Sequence, residues 1–245
     1  MLLIVRLDPY VPALMAISGY TRCMTSKPGR HVLPFPDRRT AGLLLAERLA
    51  DSVPLDRWTG RTMVLGLPRG GVAVAQQVAA VLGVPMDVIV TRKIGYPPQP
   101  ELGVGAIAEG LRQPVYDGGL LERLGLTEED LAGVVTAEET ELDRRVRIYR
   151  GGNPLPPVAG WCVIVVDDGL ATGVTARAAL RSLRAAQAAH LILAVPVAPP
   201  SSALSMCTEA DQVVVLATPS HFSSVGEWYV AFGQLSDADV LALLG

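Results

Sequence analysis

Aromatic side chains account for only 5% of these 245 residues, and cysteine and histidine appear three times each. The cysteines, Cys23, Cys162 and Cys207, stand far apart with no CxxC and no Cys/His ligand spacing. That argues against a zinc site or a disulfide framework and leads us to expect reduced thiols in a cytoplasmic protein. No Ser-His-Asp order and no Cys-His pair suggests a covalent enzyme intermediate. A large excess of one charge is also missing: 21 Lys and Arg against 24 Asp and Glu leave a formal net charge of -3, with no basic block. This balance counts against a nucleic-acid partner. No uninterrupted apolar run approaches the roughly 20 residues that span a bilayer, so no membrane partner is expected. Residues 1–20 are apolar only in patches broken by Arg6, Asp8 and two prolines, and read as neither signal peptide nor anchor. The glycine clusters that follow apolar runs lack the GxGxxG order of a dinucleotide site, and no Lys follows Gly173 as a Walker A loop requires. There is no internal repeat.

What the chain does have is material for a sizeable core, since half of its residues are hydrophobic and 18% are charged. Its length suits one α/β domain with an elaboration. Residues 1–30 read as a poorly ordered extension, because a polar, Pro/Gly-containing lead-in opens at Met24, and the domain as residues 31–245. Asp37 is expected to cap a helix over 38–49. Apolar runs at 63–67, 86–90, 104–108, 161–166, 191–197 and 213–216 read as strands. Helices are expected over 72–82, over 175–188 and after the Ser236-x-x-Asp239 pattern. Strands alternating with helices predict an α/β fold with a doubly wound parallel sheet. Thr127-x-x-Asp130 opens a helical insertion at about 118–150, with a solvated face and a Glu-then-Arg order that suits the helix dipole. Ile94–Glu101, rich in Pro and Gly, reads as a loop.

One segment carries most of the chemistry. Val163 to Val166 is an apolar run, followed by Asp167, Asp168, Gly169, Leu170, Ala171, Thr172, Gly173, Val174 and Thr175. In a parallel sheet ligands gather at the carboxyl ends of strands, and a loop entering a helix there turns backbone N–H groups and the positive end of the helix dipole toward an anion. Thr172 and Thr175 add hydroxyl donors, while Gly169 and Gly173 let the backbone approach a phosphate. Two carboxylates beside such a cradle would repel phosphate but accept hydrogen bonds from neutral hydroxyls. A ribose 5-phosphate has both kinds of group.

The segment resembles the binding signature of type I phosphoribosyltransferases, hydrophobic strand then Asp-Asp-x-x-x-Thr-Gly-x-Thr, and the order of elements resembles that family from about Asp37 to Gly245. The resemblance implies the type I phosphoribosyltransferase fold with a small C-terminal hood at about 217–235. It implies 5-phosphoribosyl 1-pyrophosphate (PRPP), or a similar ribose 5-phosphate ligand, bound with Mg2+. Asp167 and Asp168 would hold the metal indirectly, through ribose or water. Pro68-Arg69-Gly70-Gly71 takes the place of the family's pyrophosphate loop, with a cis bond expected between Pro68 and Arg69. Arg69, Arg92 and Lys93 would then serve catalysis by facing pyrophosphate, with 94–104 as a mobile lid.

Phe222 and Trp228 would shape the acceptor pocket within the hood; the same aromatic cluster reads equally well as a satellite core. His221, Glu101 and Glu109 are only candidates for a base. The implied reaction displaces pyrophosphate from C1 of PRPP by a nitrogen nucleophile of an unidentified acceptor. Relatives acting on 6-oxopurines usually carry a carboxylate where this chain has Ala171, so hypoxanthine and guanine are expected to be poor acceptors. A PRPP-sensing regulator without transfer activity is the alternative, and a homo-oligomer is compatible with either.

Overall fold

The computed structural model describes residues 33–245 together with the backbone of residues 22–25. The latter form strand β1 (Arg22–Thr25) inside the stretch expected to be an extension; the rest of residues 1–32 lies outside the described residues. Helix α1 (Arg38–Ser52) begins where Asp37 accepts a hydrogen bond from the Thr40 amide at 2.7 Å. Next come β2 (Thr62–Gly66), α2 (Gly70–Leu82) and β3 (Met86–Val88). A second half of the domain supplies β7 (Cys162–Val166), α5 (Val174–Ala185), β8 (His190–Val197), α6 (Pro200–Met206) and β9 (Gln212–Ala217). Between the halves lie β4 (Thr91–Tyr96), β5 (Gln99–Ala108), β6 (Val115–Tyr116), α3 (Gly118–Leu124) and α4 (Ala132–Arg150).

The main sheet has six strands in the order β1-β9-β8-β7-β2-β3, every pair parallel. Its central strands β2 and β7 are buried at every position, as strands covered on both faces must be. Alternation sends Leu65, Val163 and Val165 to a core shared with Leu180 and Leu183 of α5, and Val64, Ile164 and Val166 to one shared with Leu45 of α1 and Val78 of α2. Among the described residues no helix is long and apolar enough to cross a membrane.

The segment 94–104 departs from expectation. It is no loop: β4 and β5 pair antiparallel as a hairpin that turns at Pro97 and Pro98, and β6 extends it to a three-stranded sheet. Its register shifts twice between Ile94 and Tyr96, which accommodates a sequence whose prolines cannot donate to a ladder. One face of this sheet packs Ile94, Val104 and Ile107 against Leu142 and Tyr149 of α4. The other packs Ala106 and Ala108 against Val174 and Ala178 of α5. Thr127 and Asp130 exchange the expected hydrogen bonds, opening a short 3-10 turn (Glu129–Leu131) that leads into α4. The chain closes with α7 (Asp237–Leu244), started by the expected Ser236–Asp239 capping box and packed on α2 and α4.

Candidate functional site

From β2 the chain moves outward to β3, then returns to place β7 on the other flank of β2 before moving outward again through β8 and β9. The carboxyl ends of β2 and β7 are therefore the point where strand order reverses, where open α/β sheets leave a crevice for ligands. Gly66 pairs with Val166, and the Leu67 amide donates to the Val166 carbonyl at 2.9 Å, so the loops after these strands run side by side. One loop enters α2 through a cis bond between Pro68 and Arg69, as expected. The other enters α5 through Gly173, whose φ of 79° is the left-handed conformation that glycine adopts without penalty. Neither helix start carries a side-chain cap. The positive ends of two helix dipoles thus lie beside one another, with the first-turn amides of α5 open and those of Gly71 and Val72 in α2 already donating to the Leu67 and Arg69 carbonyls at 3.0 and 3.3 Å. The Thr172 and Thr175 hydroxyls, one exposed and one half-buried, have no hydrogen-bond partner among the described residues.

The two loops meet at Gly70 and Asp168: a Cβ on Gly70 would lie 1.9 Å from Asp168 Oδ2. That oxygen accepts a hydrogen bond from Arg38 Nε at 2.8 Å. Arg38 also donates from Nη1 to the Gly233 carbonyl at 2.8 Å and stacks 3.9 Å above the Phe232 ring. The Tyr229 hydroxyl donates to the Asp168 carbonyl at 2.5 Å, and the Asp168 amide donates to Asp167 Oδ1 at 2.9 Å. Burial pushes both carboxyls up. The neighbouring Asp168 adds to the rise at Asp167, whereas Arg38 draws Asp168 back toward the ionised form.

The hood segment packs as a satellite of the core. Phe35, fully buried, forms a bridge to Tyr229, and Phe222 stacks on Trp228 with ring centroids 6.3 Å apart, both resting on the α1 side of the sheet. The hood also touches the loop between β7 and α5, because a Cβ on Gly169 would come 2.4 Å from Val225. His221 is exposed, within 3.2 Å of the Ser220 hydroxyl.

Arg92 and Lys93 do not share a face. Arg92 pairs across the hairpin with Ile107 and binds Glu138 of α4 at 2.6 Å. Lys93 pairs with Ala106 on the α5 side, where Nζ reaches the Glu101 carbonyl at 2.9 Å. Side chains alternate along a strand, so only one of two consecutive residues can face a given ligand, and the α5 side belongs to Lys93. Arg69 is half-exposed, 3.9 Å from Asp237, a carboxylate that also accepts from Tyr149 at 2.6 Å and Arg144 at 3.0 Å. Glu109 is a buried strut: it is paired with Arg150 and accepts from the Val90 amide, while its carbonyl accepts from Ser182. Glu101 has a side chain 96% exposed beside Lys93.

Two carboxylates in one place are the oxygen donors on offer, and among the described residues no three His, Cys, Asp or Glu gather as a metal-holding group. With Asp168 already engaged by Arg38, this donor set fits Mg2+ that is carried mostly by ligand phosphates and hydroxyls, and does not fit a metal caged by protein. Arg38 escaped the sequence reading. A signal existed: a cation in the first turn of a helix opposes the dipole, so it needs a partner elsewhere.

Residues 39–214 match the phosphoribosyl transferase domain family. The chain belongs to that family. A Thermus thermophilus protein of known crystal structure, TT1426, is 39% identical, with a TM-score of 0.68 over 86% of this chain and 97% of that one. Two Mycobacterium tuberculosis proteins, Rv0571c of strain H37Rv and MT0597 of strain CDC 1551, are each 43% identical over 212 residues, 86% of this chain. Both are named provisionally as phosphoribosyl transferases, and this family member spans 46% of their length, about half.

Proposed function

We propose that this protein transfers the 5-phosphoribosyl group of PRPP, in a Mg2+-dependent reaction, to a nitrogenous acceptor other than a 6-oxopurine. The observation that supports it best is the pairing of two uncapped helix N-termini, at α2 and α5, with Asp167 and Asp168 between them at the β2/β7 switch point. The amides of Thr172 to Thr175 suit the 5-phosphate, and the positive end of the α2 dipole with Arg69 suits pyrophosphate. Asp168, its Oδ2 held by Arg38, accepts from a ribose hydroxyl, while Lys93 on the α5 side adds positive charge near the loop. Mg2+, when bound, offsets the charge of the leaving pyrophosphate and is held by ligand oxygens and, through water or ribose, by Asp167 and Asp168. Holding the ribose phosphate at one end and pyrophosphate at the other leaves C1 to meet its acceptor in line.

Ala171 bears on the acceptor. Its methyl neither donates nor accepts, its residue is exposed, and its carbonyl already accepts from Ser202 at 2.5 Å. A base whose polar edge needs a partner there loses roughly 1–3 kcal/mol. Pyrophosphate release from PRPP and Mg2+, measured with a panel of nucleobases and other nitrogen compounds, tests both parts. Release with an acceptor other than hypoxanthine or guanine is the expected result. A 6-oxopurine as best substrate overturns the reading of Ala171. PRPP binding without release on any acceptor favours a PRPP-sensing role.

A further inference from the structure

Arg38 is bound on three sides by parts of the molecule that are distant in sequence: the acid Asp168, the Gly233 carbonyl and the Phe232 ring. Its side chain is only 11% exposed. Burying a guanidinium at the start of a helix, against the dipole, is costly unless its partners compensate. Here one partner is the carboxylate that faces the switch-point crevice, and two belong to the hood. Among the described residues Arg38 is the cation that pairs with Asp168, and none pairs with Asp167.

We infer that Arg38 is a positioning residue for the site: it fixes one oxygen of Asp168 so that this acid remains an oriented acceptor for a ligand hydroxyl, and it ties that acid to the C-terminal hood. The inference rests on the PRPP-binding part of the reading above and deepens it. Arg38 would not itself touch the ligand. Its Nε is committed to Asp168 and its Nη1 to Gly233, and the Phe232 ring covers a face of the guanidinium. A fork held at three points sets the direction of the carboxylate more tightly than a single ammonium could.

A merely structural tie would also be lost on substitution, so the distinguishing measurement is whether the loss depends on Asp168. The Asp168 carboxylate meets Arg38 Nε from α1, while its backbone carbonyl accepts from the Tyr229 hydroxyl of the hood. If Arg38 acts by fixing the direction of that carboxylate, replacing it costs affinity where the carboxylate is present and costs little once Asp168 is replaced by Asn.

The test is calorimetric titration of the full chain with PRPP and Mg2+ for wild type, Arg38→Met, Arg38→Lys, Asp168→Asn and the double variant Arg38→Met with Asp168→Asn. Arg38→Met is expected to bind about 10- to 100-fold more weakly than wild type, the scale of a charge-assisted hydrogen bond, and to cost less than about twofold when added to Asp168→Asn. Arg38→Lys, keeping the charge without the fork, is expected to bind several-fold more weakly. An Arg38→Met protein that matches wild type, or that loses the same factor in both backgrounds, overturns the inference. If Arg38→Met does not fold, or Asp168→Asn binds too weakly to titrate, Arg38→Lys decides alone, and wild-type affinity in that variant overturns it. No PRPP binding by wild type instead overturns the functional reading on which the inference rests.

Discussion

At the scale of single residues the contact between Gly70 and Asp168 is the tightest constraint on the site. A methyl at position 70 meets Asp168 Oδ2 at 1.9 Å and lies 3.2 Å from Arg38 Nε, so the acid or the loop has to move. Gly70→Ala is expected to lose at least about tenfold in PRPP affinity, with roughly 1–3 kcal/mol of stability, the usual cost of overpacking. Titration calorimetry and denaturant unfolding measure the two effects. Gly118→Ala, where an added Cβ meets nothing within 4 Å, is the control expected to change neither. If Gly70→Ala bound PRPP as wild type does, the contact would have no functional weight. Residues whose chemistry is carried by their type were legible in the sequence: two acids, two threonines and two glycines in order already describe a cradle from Asp167 to Thr175. Arg38 was not, because Asp37 sufficed to explain the start of its helix, and its partners lie 130 and 195 positions away.

At the scale of elements, the strands of the parallel sheet were legible because burial on both faces makes them short continuous apolar runs, Thr62–Gly66 and Cys162–Val166 above all. The β4–β5 hairpin was hidden by its prolines. They sit at the turn and beside a register shift, where no ladder donor is required, and local composition does not distinguish that from a loop. The unread hairpin also concealed that Arg92 and Lys93 point apart. Helix α4 meets α7 through charged groups: Glu141 and Asp237 both bind Arg144, and their carboxyls lie below the ordinary range. Glu141 is held at about 2 from an ordinary 4.5, chiefly by its hydrogen bond with Arg144. A carboxyl whose pKa is lower folded than unfolded stabilises the fold above its unfolded value, and that stability is lost as pH falls toward the folded one. Thermal unfolding is therefore expected to show stability declining between about pH 4.5 and 2, and declining less steeply in Glu141→Gln. Identical slopes would mean that the pair contributes nothing at this surface.

At the scale of the molecule, alternating strands and helices announced a parallel sheet but left its order unstated, since order is fixed by which distant edges meet. The order matters more than any one strand. It brings together Gly66 and Val166, far apart in the chain but neighbours in the sheet, and so sets one helix start beside the other. Curated relatives about twice as long match 86% of the chain at 43% identity, a stretch long enough to include both halves of the cradle.

The partnership of β2 with β7 makes ligand binding a report on assembly. Each half of the cradle is encoded in a separate stretch of chain, and between the two stretches lie β4, β5, β6, α3, α4 and the Gly/Pro-rich segment 151–157. Contacts between positions so far apart form late, after the entropy of closing a long loop has been met. Refolding followed by ligand fluorescence or calorimetry should accordingly show helical signal returning before PRPP affinity. A chain cut within 151–157 should give two fragments that bind no PRPP alone and regain binding when mixed, as far as β2 and β7 can rejoin. Affinity in either fragment by itself would mean that one helix start suffices. Binding by the mixture and by neither fragment alone would make the protein two half-sites that become a binding site only by being neighbours, and every mutation weakening that seam, however far from the ligand, would read as a loss of function.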